Sequence, residues 1–97
     1  KNAEKAVKLY TISSDAESAA GQYNLAKCYR DGNGIKEDKN RAVSLFKRAA
    51  EQGFTMAYAE LAVCYRDGIG VHEDAELAEK YAKLAEDAGH KVPEKKE

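Results

Sequence analysis

The chain repeats itself with a period of 36 residues, and this feature constrains its fold more than any other. Residues 28–35 read Cys-Tyr-Arg-Asp-Gly-Asn-Gly-Ile, and residues 64–71 read Cys-Tyr-Arg-Asp-Gly-Ile-Gly-Val. Aligned without gaps, segments 18–53 and 54–89 are identical at 14 of 36 positions. A period of about 33 to 47 residues with two helical patterns per unit indicates an α-solenoid, whose units bury their apolar faces by stacking on one another.

Each unit is predicted to hold two amphipathic helices separated by a glycine turn. In the first complete unit, apolar side chains recur at helical spacing through residues 19–30, and a second such pattern covers residues 38–53. Glycine adopts positive φ at little cost and suits the turn, while aspartate suits the N-cap of the second helix. The predicted turn and cap residues are Gly32, Gly34, Asp38, Gly53, Gly68, Gly70, Asp74 and Gly89.

The same alignment divides the chain into four parts. Residues 1–17 match only the second helix of an incomplete unit, and residues 18–53 and 54–89 are complete units. Residues 90–97 form a charged C-terminal tail outside the pattern. We therefore predict an all-α fold, an α/α solenoid of antiparallel helix pairs with five helices in total.

The repeated residues resemble the Sel-one-like repeat (SLR), a relative of the tetratricopeptide repeat. The resemblance covers about residues 3–90 and includes the Gly-x-Gly turn with an aspartate four positions after its second glycine, twice in phase. One departure is Gly21, which stands where the family usually has alanine. The resemblance implies a short right-handed superhelix whose first helices line a concave surface where peptides and proteins dock. The positions that carry it include Leu25, Tyr29, Ala42 and Ala49, and Leu61, Tyr65 and Ala78.

The two first helices agree in their core positions and differ on the opposite face. Lys27 aligns with Val63, and Asn24 aligns with Glu60. Units that are alike in packing and unlike on one face suit a docking groove, although drift on an unselected surface would give the same pattern. We predict a non-catalytic scaffold or adaptor module that binds a protein or peptide there. The predicted partner-binding residues are Tyr23, Asn24, Lys27, Arg30, Met56, Glu60, Val63 and Arg66.

The charge balance argues against two other classes of partner. Sixteen Lys and Arg against 17 Asp and Glu leave a formal net charge of −1, without the broad basic surface that nucleic-acid binding needs. No apolar run approaches the roughly 18 residues of a membrane span, so we predict no direct membrane insertion. Residues 27–48 carry a net charge of +4 and residues 49–90 carry −6. This asymmetry indicates either solvated helix faces or a dipolar surface that orients a partner.

No motif predicts catalysis, a metal or a cofactor. The turn at residues 31–38 lacks the ligand pattern of a calcium loop and the Lys-Ser/Thr of a phosphate loop. His72 and His90 have no second ligand at helical spacing. Cys28 and Cys64 occupy equivalent positions in successive units, about 8–10 Å apart for packed helices, which is too far for a disulfide. We predict two free, buried thiols.

Two alternative functions stay open. The open repeat ends would allow stacking in a longer array or self-association, which makes the chain a purely structural segment. The resemblance also implies a link to cysteine-rich SLR proteins that bind or hydrolyse β-lactams, but this chain offers no activated nucleophile.

Overall fold

A computed structural model describes residues 2–94, which form five α-helices and, within that range, no strand. The predicted all-α, five-helix fold is confirmed. The helices are α1 (Asn2–Asp15), α2 (Ala19–Asp31), α3 (Lys39–Glu51), α4 (Met56–Asp67) and α5 (Ala75–Asp87).

Each helix packs on the next one along the chain, so that spatial order follows sequence order. The pair α2–α3 forms the first complete unit and α4–α5 the second, while α1 corresponds to a second helix alone. The stack measures 37 × 27 × 19 Å along its principal axes. This elongation follows from stacking units that contact only their neighbours.

The glycine turn and the aspartate cap define the helix ends. Helix α2 ends at Asp31 and is capped by Gly32, which has φ of 66° and donates its backbone N–H to the carbonyl oxygen of Cys28. Helix α3 begins after Asp38, whose side chain accepts a hydrogen bond from the backbone N–H of Arg41 at 3.0 Å. The second unit repeats both bonds: Gly68 donates its N–H to the carbonyl oxygen of Cys64, and the side chain of Asp74 accepts from the N–H of Leu77. Each second helix is followed by a glycine of positive φ, Gly53 or Gly89.

The second glycine of each turn packs against the backbone of the preceding unit. A Cβ on Gly34 would lie 2.6 Å from the carbonyl carbon of Ala3, and one on Gly70 would lie 2.7 Å from that of Lys39. Ala3 and Lys39 lie in the first turns of α1 and α3 and are themselves 36 residues apart. The same contact therefore recurs between each pair of units, which requires a residue without a side chain at both places.

Gly21 permits a close approach of α1 and α2. A Cβ at this position would lie 2.9 Å from the backbone carbonyl carbon of Ser13, closer than real Cβ contacts. The equivalent residue of the second unit, Ala57, is fully buried and carries a Cβ, so the second unit does not require glycine at this position. The departure from the family pattern at Gly21 therefore has a steric reason.

Both cysteines are free and buried, as predicted. Burial raises the pKa of Cys64 to about 11, and burial likewise raises the pKa of Cys28. Since the thiolate is the reactive form, these thiols act as small apolar residues of the core.

One buried polar side chain is only partly satisfied. Gln22 is fully buried in α2, and its Oε1 accepts a hydrogen bond from Nε2 of Gln52 at 2.9 Å. The Nε2 of Gln22 has no partner. An unsatisfied buried donor costs about 1–3 kcal/mol, so this amide destabilises the fold.

We expect Gln22→Met to raise the free energy of unfolding by about 1 kcal/mol, because methionine has a similar shape and no unsatisfied donor. Thermal unfolding followed by circular dichroism should show a rise in midpoint of about 4–8 °C for a domain of this size. The matched control is Gln52→Met, which removes the one partner of the Gln22 amide and should lower the midpoint. A lower midpoint for Gln22→Met would show that its Nε2 is hydrogen-bonded in solution.

Candidate functional site

Three of the predicted partner-binding residues bind one another across α2 and α4. Nη1 of Arg30 donates to Oε1 of Glu60, and the hydroxyl of Tyr23 donates to Oε2 of the same carboxylate at 3.2 Å. We call Tyr23, Arg30 and Glu60 the α2–α4 clasp. Because its charges are already paired, the clasp holds two successive units in register and contributes little free charge to a partner.

Most of the Tyr23 side chain lies in the core, and only its hydroxyl end is available on the surface formed by α2 and α4. Its side chain is only 6% exposed, and its ring packs against Phe46 and Phe54 with centroid distances of 5.7 and 5.1 Å. Burial, reinforced by the negative charge of Glu60, raises the pKa of Tyr23 to about 12. The hydroxyl reaches the surface, but the ring belongs to the core.

The equivalent arginines of the two units share one kind of partner and differ in the second. Arg30 and Arg66 each pair with the following aspartate, through Nε at 2.9 Å in both cases. The hydrogen bond to that aspartate raises the pKa of each guanidinium. Nη1 of Arg30 then binds Glu60, whereas Nη1 of Arg66 donates to the backbone carbonyl of Pro93 at 2.6 Å. Nη1 of Arg66 thus binds a peptide carbonyl, whereas Nη1 of Arg30 binds a second carboxylate.

The other predicted residues are accessible on α2 and α4. Met56 is 45% exposed at the start of α4, and Val63 is partly exposed two turns further on. On α2, Asn24 and Lys27 are also partly exposed, and Nζ of Lys27 lies 5.3 Å from the centroid of the Tyr23 ring. We call Asn24, Lys27, Met56, Val63 and Arg66 the α2–α4 surface.

Two shallow clefts flank Glu60 on this surface. Residues 89–94, after α5, supply a wall of both clefts, together with side chains of α2 and α4. The sequence predicted residues 90–97 only as a charged tail, and residues 95–97 lie outside the described part. The first cleft is lined by Arg30, Glu60, Val63, Arg66, Asp67, Pro93 and Glu94, and the second by Tyr23, Met56, Ala59, Glu60, Gly89, His90 and Lys91.

A further cleft between α1, α2 and α3 was not predicted from the sequence. Tyr29 and Arg41 lie in it, with Nη1 of Arg41 donating to the tyrosine hydroxyl at 3.1 Å. The guanidinium also lies 5.4 Å from the ring centroid. The one sequence signal was that Arg41 aligns with Leu77, a polar-for-apolar difference between units.

The described residues present no metal centre and no membrane span. Within residues 2–94, His, Cys, Asp and Glu form no group of three that could hold a metal ion. No helix in the same range is long and apolar enough to cross a bilayer. His90 contacts Oγ1 of Thr55 through Nε2 at 2.7 Å and packs beside the start of α4.

The helix pairs repeat every 36 residues, and the same glycine contact joins each unit to the one before it. These two features define a helical-repeat protein of the α-solenoid class. The model of the Sel1 repeat family matches residues 1–18, 19–54 and 55–90. The chain therefore belongs to the Sel1 repeat family, as the residues of the glycine turn predicted. Sel1 repeats generally form protein-interaction scaffolds and are typically non-catalytic modules.

Two solved structures share this fold closely. A protective antigen of uropathogenic Escherichia coli strains that displays an SLR fold superposes with a TM-score of 0.87 and 32% identity, over 90% of this chain and 19% of that one. A Sel1 repeat protein from Oxalobacter formigenes gives a TM-score of 0.83 and 30% identity, over 89% and 35% of the two chains.

Among curated proteins, chitin synthase regulatory factor 3 of Schizosaccharomyces pombe is 34% identical over 47 residues. That match covers 48% of this chain and 5% of the yeast protein. The chain thus spans a small part of each of these three relatives.

Proposed function

We propose that this chain is a protein–protein interaction module that binds a segment of a partner protein on the α2–α4 surface. The observation that carries the proposal is the exposure of Met56, a large apolar side chain at the start of α4, on the same helix as the partly exposed Val63. A flexible thioether next to polar groups suits an adaptable contact with a partner. The general role of Sel1 repeats as interaction scaffolds supports the same function.

The α2–α4 clasp supports this proposal because it makes the surface rigid. The carboxylate of Glu60 joins α4 to both Arg30 and Tyr23 of α2, so the accessible side chains between them keep a fixed spacing. A preorganised surface loses less conformational entropy when a partner binds. The accessible cation of Lys27 favours a partner segment that combines an apolar anchor with an acidic side chain.

The match to a chitin synthase regulatory factor is consistent with a role exerted through a protein partner. A binding surface alone is sufficient for one protein to regulate another. The buried, protonated thiols of Cys28 and Cys64 likewise suit a core rather than a reaction centre.

The proposal can be tested by selecting peptides from a displayed random library on the folded chain. We expect the selected peptides to lose at least tenfold in affinity for Met56→Asp and for Lys27→Glu, because each change removes an attractive contact or reverses its charge. The matched controls are Leu9→Asp and Lys36→Glu, which make the same changes at exposed positions on α1 and in the turn after α2. Isothermal titration calorimetry gives the affinities, and circular dichroism verifies folding.

Selected peptides that bind both α2–α4 variants as tightly as the wild type would contradict the proposed surface. So would peptides whose affinity falls only for Leu9→Asp or Lys36→Glu. A library that yields no binder would contradict peptide docking as a function of this chain.

A further inference from the structure

The chain reverses after α5 and runs along α4 in an extended conformation. Gly89, with φ of 86°, makes the reversal, and residues 90–94 form no helix. The segment is attached near both ends of α4, by His90 to Thr55 at 2.7 Å and by the carbonyl of Pro93 to Arg66 at 2.6 Å. Three extended residues span about 10 Å, and the reach of the arginine side chain covers the rest of the helix length.

Between these two attachments, Val92 lines one wall of an apolar cleft at the junction of α4 and α5. The cleft is rimmed by Arg66 and Glu79, and its floor consists only of methyl side chains. A small branched apolar side chain suits such a floor, because it can contact several methyl groups at once. The floor residues are Ala62, Ala75, Ala78 and Ala82.

The outer face of α5 does not favour a further repeat helix as the occupant. In α3, Val43 and Ala50 are buried, but the equivalent residues of α5 are Glu79 and Glu86, both exposed. Stacking another unit there would bury two carboxylates, which is costly unless both are paired. An extended segment that covers only the alanine cleft leaves these carboxylates in water.

We propose that residues 90–94 cover the α4 side of the α2–α4 surface. They compete there with an extended segment of a partner protein that has the same chemistry. That segment carries a small branched apolar side chain for the alanine cleft, followed by a backbone carbonyl for Arg66. The inference rests on the proposed function and specifies both the partner's chemistry and its competitor. Since Pro93 restricts its own φ and disfavours a helix, it keeps the occupant extended.

The attachment is weak enough to be displaced. Lys91, Pro93 and Glu94 are exposed, so the segment is held by Val92, one hydrogen bond from Arg66 and one contact of His90. Covalent connection to α5 gives the segment an effective concentration on the order of millimolar at its own site. A free segment with the same contacts is therefore outcompeted until it adds contacts on the α2–α4 surface.

The test uses a synthetic peptide with the sequence of residues 88–97 as the probe, titrated into isotopically labelled full-length chain and followed by NMR. The host is either the wild type or Val92→Asp, which expels the internal segment and changes no helix. We expect saturable shifts of the Ala62, Ala78 and Arg66 amides in the Val92→Asp host, and binding at least tenfold weaker in the wild type. A peptide that carries Val92→Asp is the matched control and should not bind.

Equal affinity of the probe for both hosts, or equal binding of the control peptide, would overturn the inference. Adding Arg66→Gln to the Val92→Asp host should weaken the probe severalfold, and no change would also contradict the proposal. These results are distinguishable from failure of the proposed function. Library peptides that bind the α2–α4 surface equally well in both hosts would leave that function standing and remove the internal competitor.

Discussion

Gly70→Ala is expected to lower the free energy of unfolding by about 3 kcal/mol or more. Two costs combine, since alanine in the left-handed region costs about 1–2 kcal/mol and a forced overlap in a packed interior costs about 1–3 kcal/mol. The φ of Gly70 is 73°, and its new Cβ would overlap the carbonyl group of Lys39, which is backbone and cannot rotate away. A domain this small has a stability on the order of 5 kcal/mol, so much of it would be lost.

Gly53→Ala is the matched control for this change. Gly53 has a similar φ of 84°, but a Cβ there would meet nothing within 4 Å. We expect this variant to lose only the conformational part, about 1 kcal/mol. Urea denaturation followed by circular dichroism measures both, and equal losses would mean that the Gly70–Lys39 contact does not hold the units together.

Most of the fold could be predicted from the repeat, because aligning the two units shows which positions are equivalent. Leu25 and Leu61, or Gly34 and Gly70, have the same environment in both units, so one helix pair predicts the next. Helix number, the position of the turns and the burial of Cys28 follow from this comparison. Steric detail such as the Gly21–Ser13 approach does not, because it depends on how closely two particular helices pack.

The candidate site was harder to predict because it joins positions that are not equivalent. The clasp pairs residue 30 with residue 60, and the alignment relates Arg30 only to Arg66 and Glu60 only to Asn24. The repeat also carries no information on side-chain reach. Tyr23 aligns with Ala59, yet its ring extends into the core between Phe46 and Phe54.

Residues 90–94 show a different limit of prediction from the sequence. They lie outside the repeat, so periodicity could not indicate that they fold back along α4. The relevant signal was local, since Gly89 permits a reversal of the chain and Pro93 opposes a new helix. Composition alone suggested a charged tail, because Val92 is a single apolar residue among charged neighbours.

Leu45→Ala should lower the free energy of unfolding by about 3 kcal/mol, whereas Leu9→Ala should lower it by less than about 0.5 kcal/mol. The two leucines occupy the same position of successive second helices. Leu45 is 7% exposed because α2 packs on α3, and Leu9 is 64% exposed because no described helix covers that face of α1. Truncating the first creates a cavity, while truncating the second removes a side chain from water.

The comparison also tests whether the open face of α1 is used for self-association. Leu9 and Ile12, which is 66% exposed, form an apolar pair on α1, and a second copy of the chain that covered them would bury both. In that case Leu9→Ala would destabilise the protein at high concentration and not at low concentration, because association stabilises by mass action. Urea denaturation at two protein concentrations a hundredfold apart separates these outcomes. A concentration-independent loss as large as that of Leu45→Ala would instead show that Leu9 is buried within one copy, contrary to the packing of the described helices.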